Sequence, residues 1–229
     1  MLFRSQLVNA AGVTLAQNRY RYAVYPQGPP VSALTVTLHD PLNQLQSLRA
    51  ALAANGLSVA DEAATGALWI SSSLDDATSA RINQGGKVLL LAQSREALPR
   101  PNPLSIVPRE GSDLTGDWVS NFNWVLSSSP LWKPLTPVID DSILGWEAAS
   151  VTPDFVISGL AERDSPNVLA GVFYGWLNSN RAYLAELPEG AGRVLLTTFR
   201  FDSYGRDPFA TLLFDQILIT AAANKAGVS

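Results

Sequence analysis

The C-terminal part of the chain contains the feature that most constrains the fold, a long apolar run followed by a helix-start signal. Residues 192–202 are rich in β-branched and aromatic side chains, which predicts a buried strand. Asp207 and Pro208 then predict a helix over 209–223, because the carboxylate can accept first-turn amides and proline suits the first helical position. The loop 200–206 therefore follows the carboxyl end of a strand, where open α/β sheets bind ligands. We expect a candidate ligand site in this loop.

Strands and helices alternate along the chain before this unit. Asp40 and Pro41 predict the start of a helix with four leucines on one buried face, Leu42, Leu45, Leu48 and Leu52. A second helix is predicted over 75–84. Further strands are predicted at 33–38, 57–59, 67–70, 87–92, 155–157, 168–177 and 182–186. The alternation predicts an α/β domain with a mostly parallel sheet and helices on both faces, whereas residues 98–153 have no regular pattern.

The first 25 residues have a different pattern from the rest. Two strands are predicted at 2–8 and 13–25, joined by a turn at 9–12. Residues 26–31, which contain three prolines and a glycine, predict a stiff linker. We therefore expect a β-hairpin over 1–25, the remnant of a β-sandwich, and an α/β domain over 32–229. A lone two-stranded ribbon is marginal in water, so we expect the hairpin to mediate self-association.

Composition excludes several classes of partner. The 229 residues carry a net charge of −4 and a pI near 5.0, which argues against a nucleic-acid partner. No apolar run approaches the length of a membrane span, and the N-terminus lacks the basic and apolar segments of a signal peptide. We therefore expect a soluble protein that is cytoplasmic as expressed, and the missing cysteine is consistent with either redox compartment. The chain has one histidine and no cysteine, so we expect neither a metal site nor a cofactor.

Three segments carry a resemblance to a known family. They are GVTLAQNRY at 12–20, GDWVSNFNW at 116–124 and the strand–loop–helix unit at 192–213. The first resembles the last strands of an immunoglobulin-like domain in bacterial glycoside hydrolase family 2, the β-galactosidase relatives. The other two resemble the C-terminal domain of the same proteins. The resemblance implies a flavodoxin-like fold of the class I glutamine amidotransferase type, which lies outside the catalytic barrel of that family.

The residues argue against glutaminase chemistry in such a domain. An amidotransferase needs a thiol on a strand-to-helix elbow, and here Gln93 or Ser94 stands at that position. A serine triad of Ser94, His39 and Asp202 would require its members to meet at one sheet edge. The segment around Ser94 lacks the glycines of a nucleophile elbow, so we expect Ser94 to cap a turn and His39 to lie in a polar loop.

Acids near tryptophans are the remaining candidates for a carbohydrate site. Glycoside hydrolysis uses two carboxyl groups, and aromatic rings stack on the apolar faces of pyranosides. The candidate acids are Glu147, Asp202, Asp140, Asp141 and Glu110. The candidate sugar-binding residues are Trp118, Trp124, Trp132 and Trp146, with Arg200 and Arg206 of the final loop. The alternative is that the tryptophans fill the core and the acids cap helices or lie in solvent.

Two functions from different classes are consistent with these observations. The first is a non-catalytic accessory domain of a β-galactosidase-like protein, which acts through packing, oligomerisation or contact with carbohydrate. The second is a small free-standing glycosidase that uses a carboxylate pair beside tryptophan platforms. Two carboxyl groups facing each other across a pocket would favour the second function.

Overall fold

Twelve strands and three helices make up the regular structure of the part of the chain that the computed structural model describes. That part comprises residues 2–21, 25, 31–60, 62, 67–99, 101–109, 121–135, 150–174, 179–189 and 192–223. The strands are β1 Leu2–Val8, β2 Thr14–Arg21, β3 Thr35–His39, β4 Ser58–Ala60, β5 Leu68–Ser71, β6 Val88–Leu91, β7 Ser105–Pro108, β8 Asn121–Val125, β9 Phe155–Ser158, β10 Val168–Tyr174, β11 Ser179–Glu189 and β12 Gly192–Thr197. The helices are α1 Gln46–Ala54, α2 Asp76–Asn83 and α3 Pro208–Ala223.

A large mixed sheet connects ten of these strands. Five of them run parallel in the order β4-β3-β5-β6-β12. The sheet continues through β11, β10 and β8 with antiparallel pairs, and β9 with β7 branches from β11. The antiparallel part follows from short connections, because β10 ends at Tyr174 and β11 begins at Ser179. A parallel pair needs a crossover of about a dozen residues or more, which this connection does not provide.

Helices cover both faces of the parallel strands, as the sequence predicts. Successive side chains of β6 alternate between two cores: Leu89 lies in the larger one and Leu90 in the smaller one. Leu52 of α1 and Leu213 of α3 also belong to the larger core. Ile82 of α2 belongs to the smaller core, on the opposite face. The domain is therefore a three-layer α/β structure.

Helix α1 begins later than the sequence predicts. The carboxylate of Asp40 accepts hydrogen bonds from the amides of Gln44 and Leu45, each at 2.8 Å. Asn43 has a φ of 56°, in the left-handed region, which breaks the helical repeat. Residues 40–44 therefore form a turn that Asp40 caps, and the helix proper begins at Gln46.

Helix α3 begins as predicted but is more deeply buried than an amphipathic helix. Asp207 accepts the amide of Ala210 at 2.7 Å, which caps the first turn. Ten of the sixteen residues of the helix are buried, among them Asp215. The hydroxyl of Tyr204 donates to the carboxylate of Asp215 at 2.9 Å, which supplies that buried group with a donor.

The N-terminal hairpin is confirmed, with β1 and β2 paired antiparallel. Its turn is held by the side chain of Asn9, which accepts the amides of Ala11 and Val13. Gly12 has a φ of 77°, which the turn requires. The apolar side chains near the tip are exposed, namely Leu7, Val8, Val13 and Leu15. Self-association through this hairpin stays a prediction, and the predicted linker lies almost wholly outside the described residues.

No helix of the described residues is long and apolar enough to cross a membrane. The longest, α3, has sixteen residues, whereas a membrane span needs about 20.

Candidate functional site

Polar side chains gather at the carboxyl edge of the parallel strands. Strand β4, which follows β3 along the chain, pairs with one edge of β3, and the next strand, β5, pairs with the other edge. The strand order therefore reverses direction between β3 and β5. Open α/β sheets bind ligands at such a switch point. His39 ends β3, and Ser71 ends β5 as its neighbour in the register. The final loop 200–206 follows β12 at the same edge, as the sequence predicts.

His39 is held between two carboxylates at the switch point. Its Nδ1 lies 2.9 Å from Oε1 of Glu62, and its Nε2 lies 2.8 Å from Oδ2 of Asp75. Partial burial lowers the pKa of His39, but the hydrogen bonds and charges of the two acids outweigh it. The pKa of His39 therefore lies above its ordinary value of 6.5. The imidazole ring also packs at 5.1 Å from the ring of Trp69.

Asp75 connects this histidine to the start of α2. Its Oδ1 accepts the amide of Thr78 at 2.9 Å, so one carboxylate caps the helix and binds the imidazole. Burial raises the pKa of Asp75, but the hydrogen bonds from His39 and Thr78 hold it below 3.8. The hydroxyl of Thr78 in turn donates to Oγ of Ser71 at 3.0 Å. The polar groups at the switch point thus bind one another.

The predicted elbow position carries an amide that is tied to the backbone. Nε2 of Gln93 donates to the carbonyl oxygen of Phe199 at 2.7 Å, and a longer contact of 3.4 Å joins it to Thr198. Ser94 precedes a short 3-10 helix over Arg95–Ala97 and makes no side-chain cap, contrary to the expected turn cap. Gln93 therefore links the ends of β6 and β12.

The hypothetical serine triad does not form. The partners of His39 are Asp75 and Glu62 rather than Asp202. Oδ2 of Asp202 instead accepts from Nε of Arg200 at 3.2 Å. His39 also differs from the expected loop residue, because it ends a strand and its side chain is only 14% exposed.

Ion pairs and backbone contacts occupy the charged groups of the final loop. Arg200 pairs with Asp154 at 3.1 Å as well as with Asp202. Arg206 donates to the backbone oxygen of Asp202 at 2.7 Å. The adjoining groove, between Gln93 and Asp202, has a cavity volume of only about 30 Å³. It is smaller than a site for one sugar ring.

The structure places Trp132 in the core rather than at a ligand site. Its side chain is 2% exposed, and Nε1 donates to the carbonyl oxygen of Leu169 at 2.9 Å. The ring therefore packs as a core residue, the alternative considered for the tryptophans. Six other candidates lie outside the described residues: Glu110, Asp140, Asp141, Glu147, Trp118 and Trp146.

Trp124 lines a cleft on the face of the sheet that also carries α2. Its indole extends from β8 across Gly171 of β10, and Nε1 donates to Oδ1 of Asn180 at 3.1 Å. A Cβ at position 171 would lie 2.9 Å from Cζ2 of the indole, so the ring packs directly on the glycine. We call this space the Trp124 cleft. Its lining consists of Trp124, Leu160, Ala161, Glu162, Ser165, Val168, Asn180 and Arg181.

The Trp124 cleft combines an aromatic surface with several hydrogen-bonding groups. Its volume is about 350 Å³, within the range of small-molecule sites. Arg181 donates one N–H to the backbone oxygen of Asn180 at 3.2 Å. Within the described ranges, neither Arg181 nor Glu162 has an ion-pair partner. A larger concavity of about 800 Å³ lies along β7, but Arg95 is the one charged side chain among its described lining residues.

The sequence analysis named Trp124 as a candidate sugar-binding residue, which stays a prediction, and it did not name the groups around it in the cleft. The cleft joins β8, the segment 160–168 and β11, which are distant along the chain. Arg181 and Glu162 carry no local motif that would indicate a site. Asp75 was detectable as a helix cap, whereas its bond to His39 spans 36 residues and leaves no local signal.

Comparison with solved structures shows a distant structural similarity. No protein-family model and no curated protein matches the chain. A solved structure that it resembles is the cold-adapted β-galactosidase from Rahnella sp. R3, at 14% identity and a TM-score of 0.41. The match covers 80% of this chain and 31% of that enzyme, so the chain spans about a third of its length. A similarity of this size does not identify a function.

Proposed function

We propose that this chain is a non-catalytic accessory domain that works in a carbohydrate context. The observation that carries the non-catalytic assignment is the hydrogen bonding at the carboxyl edge, whereas the carbohydrate context comes from the family resemblance of three sequence segments. Gln93, at the position of an amidotransferase nucleophile, is bonded to the backbone of the neighbouring strand. His39, at the switch point, has both ring nitrogens bonded to carboxylates. These groups stabilise the sheet edge, so they are not available to activate a substrate.

The strand order supports a flavodoxin-like fold for this domain. Numbered along the chain, the parallel strands β3, β4, β5, β6 and β12 lie in the order 2-1-3-4-5. That order is the flavodoxin-like one, whose ligand crevice lies between its first and third strands. The crevice position here corresponds to β3 and β5, where His39 and Asp75 pair. In this proposal the paired side chains at the crevice position stabilise the fold.

If the chain were a glycosidase, its reacting carboxyl group would have to lie outside the cluster of His39, Glu62 and Asp75. Asp202, the one described candidate acid, has a side chain that is 64% exposed and pairs with Arg200. The general acid of a glycosidase lies in apolar surroundings, whereas Asp202 is exposed and ion-paired. This supports the accessory function over the free-standing glycosidase.

The proposal is tested by assaying the purified chain on a panel of nitrophenyl glycosides and on glutamine. We expect no turnover above that of a mock purification. Variants Asp202→Asn and Glu147→Gln are assayed in parallel, with circular dichroism as the check on folding. If the wild-type chain hydrolyses a glycoside and a folded Asp202→Asn or Glu147→Gln variant does not, the accessory function is overturned and the acid is located.

A further inference from the structure

We propose that the Trp124 cleft binds one pyranoside unit, with the sugar ring stacked on the indole of Trp124. The choice of carbohydrate as the ligand class rests on the proposed function. The cleft itself stands on the geometry of three chain segments that meet on one face of the sheet.

The floor of the cleft is a rigid aromatic surface. The indole packs on Gly171, where a Cβ atom would lie 2.9 Å from Cζ2 and 3.1 Å from Cε2. The bond from Nε1 to Asn180 fixes the rotation of the ring in its own plane. A ring held by this packing and by a hydrogen bond stays in place when a ligand arrives, which lowers the entropic cost of binding. The C–H face of a pyranose is the natural partner of such a surface, since it is apolar and flat.

The other lining residues of the cleft supply hydrogen-bond donors and acceptors for sugar hydroxyl groups. The guanidinium of Arg181 has five N–H groups, of which one is bonded to the backbone oxygen of Asn180. Glu162 and Ser165, from the segment 160–168, also line the cleft. Each sugar hydroxyl both donates and accepts, so it can bind a guanidinium as well as a carboxylate. Charged hydrogen bonds of this kind are the stronger ones.

The charges also disfavour other small ligands. A phosphate or sulfate would meet one guanidinium, Arg181, together with the carboxylate of Glu162, which repels it. A purely apolar ligand would bury both charged groups without a partner, which is costly. A neutral polyhydroxylated ring satisfies the aromatic floor and the polar walls together. A volume of about 350 Å³ suits a small ligand of this size.

The test is saturation-transfer NMR and calorimetry with methyl β-D-glucopyranoside and methyl β-D-galactopyranoside. We expect saturable binding in the millimolar range, with transfer strongest to the ring C–H protons on one face. The acyclic alcohol galactitol is the matched ligand control, because it has the hydroxyl groups without a flat ring face. Absence of saturable binding by the folded protein, or equal binding of galactitol, would overturn the proposal.

Variants locate the binding. Arg181→Gln and Glu162→Gln should each weaken binding about fivefold or more, and Trp124→Ala should abolish it. Arg163→Gln is the matched control, because Arg163 lies beside the cleft, is 88% exposed and does not line it. Trp124→Ala also removes packing on Gly171. If this variant fails to fold, the affinities of Arg181→Gln and Glu162→Gln decide the outcome. Unchanged affinity in both would contradict the assignment. The two proposals are tested separately. Turnover of a glycoside tests the proposed function, and sugar binding without turnover tests the ligand assigned to the Trp124 cleft.

Discussion

Replacing Asp75 by alanine removes two interactions at once, and the structure allows each to be weighed. The carboxylate caps α2 through the amide of Thr78 at 2.9 Å and accepts from His39 at 2.8 Å. Loss of a helix cap costs about 1 kcal/mol. Loss of a charge-assisted hydrogen bond costs about 1.5–3 kcal/mol, here near the lower end because the Asp75 side chain is 32% exposed. We expect Asp75→Ala to lower the free energy of unfolding by about 2–3 kcal/mol.

Asp75→Asn separates the two contributions. The asparagine side chain still offers an oxygen to the amide of Thr78, so the cap persists. The negative charge that faces His39 is lost. We therefore expect Asp75→Asn to cost about 1–2 kcal/mol, less than the alanine variant. The difference between the two variants measures the cap.

The pH dependence follows from the directions of the two pKa shifts. The pKa of His39 is raised, so its stabilisation is complete below about pH 6.5 and is lost as the pH rises through the folded-state value. The pKa of Asp75 is lowered, so its stabilisation is present above about pH 3.8 and is lost as the pH falls through its folded-state value. The pair therefore stabilises the fold most between about pH 4 and 6.5.

Urea unfolding at about pH 5.5 and pH 8.5, followed by circular dichroism, measures these terms. His39 is the one histidine in the 229 residues, so its imidazole proton signals report the folded-state pKa without assignment ambiguity. His39→Gln should reduce the loss of stability between the two pH values. The reasoning is refuted if wild-type protein and Asp75→Asn unfold identically at both pH values, or if His39→Gln keeps the full pH dependence.

Three further predictions concern the packing of the domain. Gly171→Ala places a Cβ 2.3 Å from the backbone oxygen of Arg181 and should lower the free energy of unfolding by about 2 kcal/mol or more. An unchanged midpoint of thermal unfolding would contradict this, because it would show that β10 and β11 can move apart without loss of stability. Tyr204→Phe removes the donor to buried Asp215 and should cost about 1–3 kcal/mol. Burial raises the pKa of Asp215 and the bond from Tyr204 lowers it, so the loss in Tyr204→Phe should shrink as the pH falls through the folded-state pKa of Asp215; a pH-independent loss in urea titrations would contradict this. Leu213→Ala, at a site with 0% exposure, should cost about 3–5 kcal/mol in urea unfolding. A loss no larger than that of an exposed-residue variant would contradict the placement of Leu213 in the core.

Local sequence signals account for the elements that were predicted correctly. Asp207 and Pro208 locate the start of α3, and Asp75 locates the start of α2. The turn of the hairpin follows from Asn9 and Gly12. The start of α1 was misplaced because Asp40 caps a preceding turn instead of the helix, and both uses of an aspartate have the same local sequence pattern.

The sequence by itself determined that strands and helices alternate, that a hairpin precedes them, and that the C-terminal loop follows a buried strand. These features depend on periodicity and on capping residues, which act within a few positions along the chain. Only the tertiary structure decided that the sheet is mixed, that His39 pairs with Glu62 and Asp75, and that Trp124 lines a cleft with polar groups. The bond from Trp124 to Asn180 spans 56 residues, and such contacts arise when the strands pair, so no local pattern encodes them.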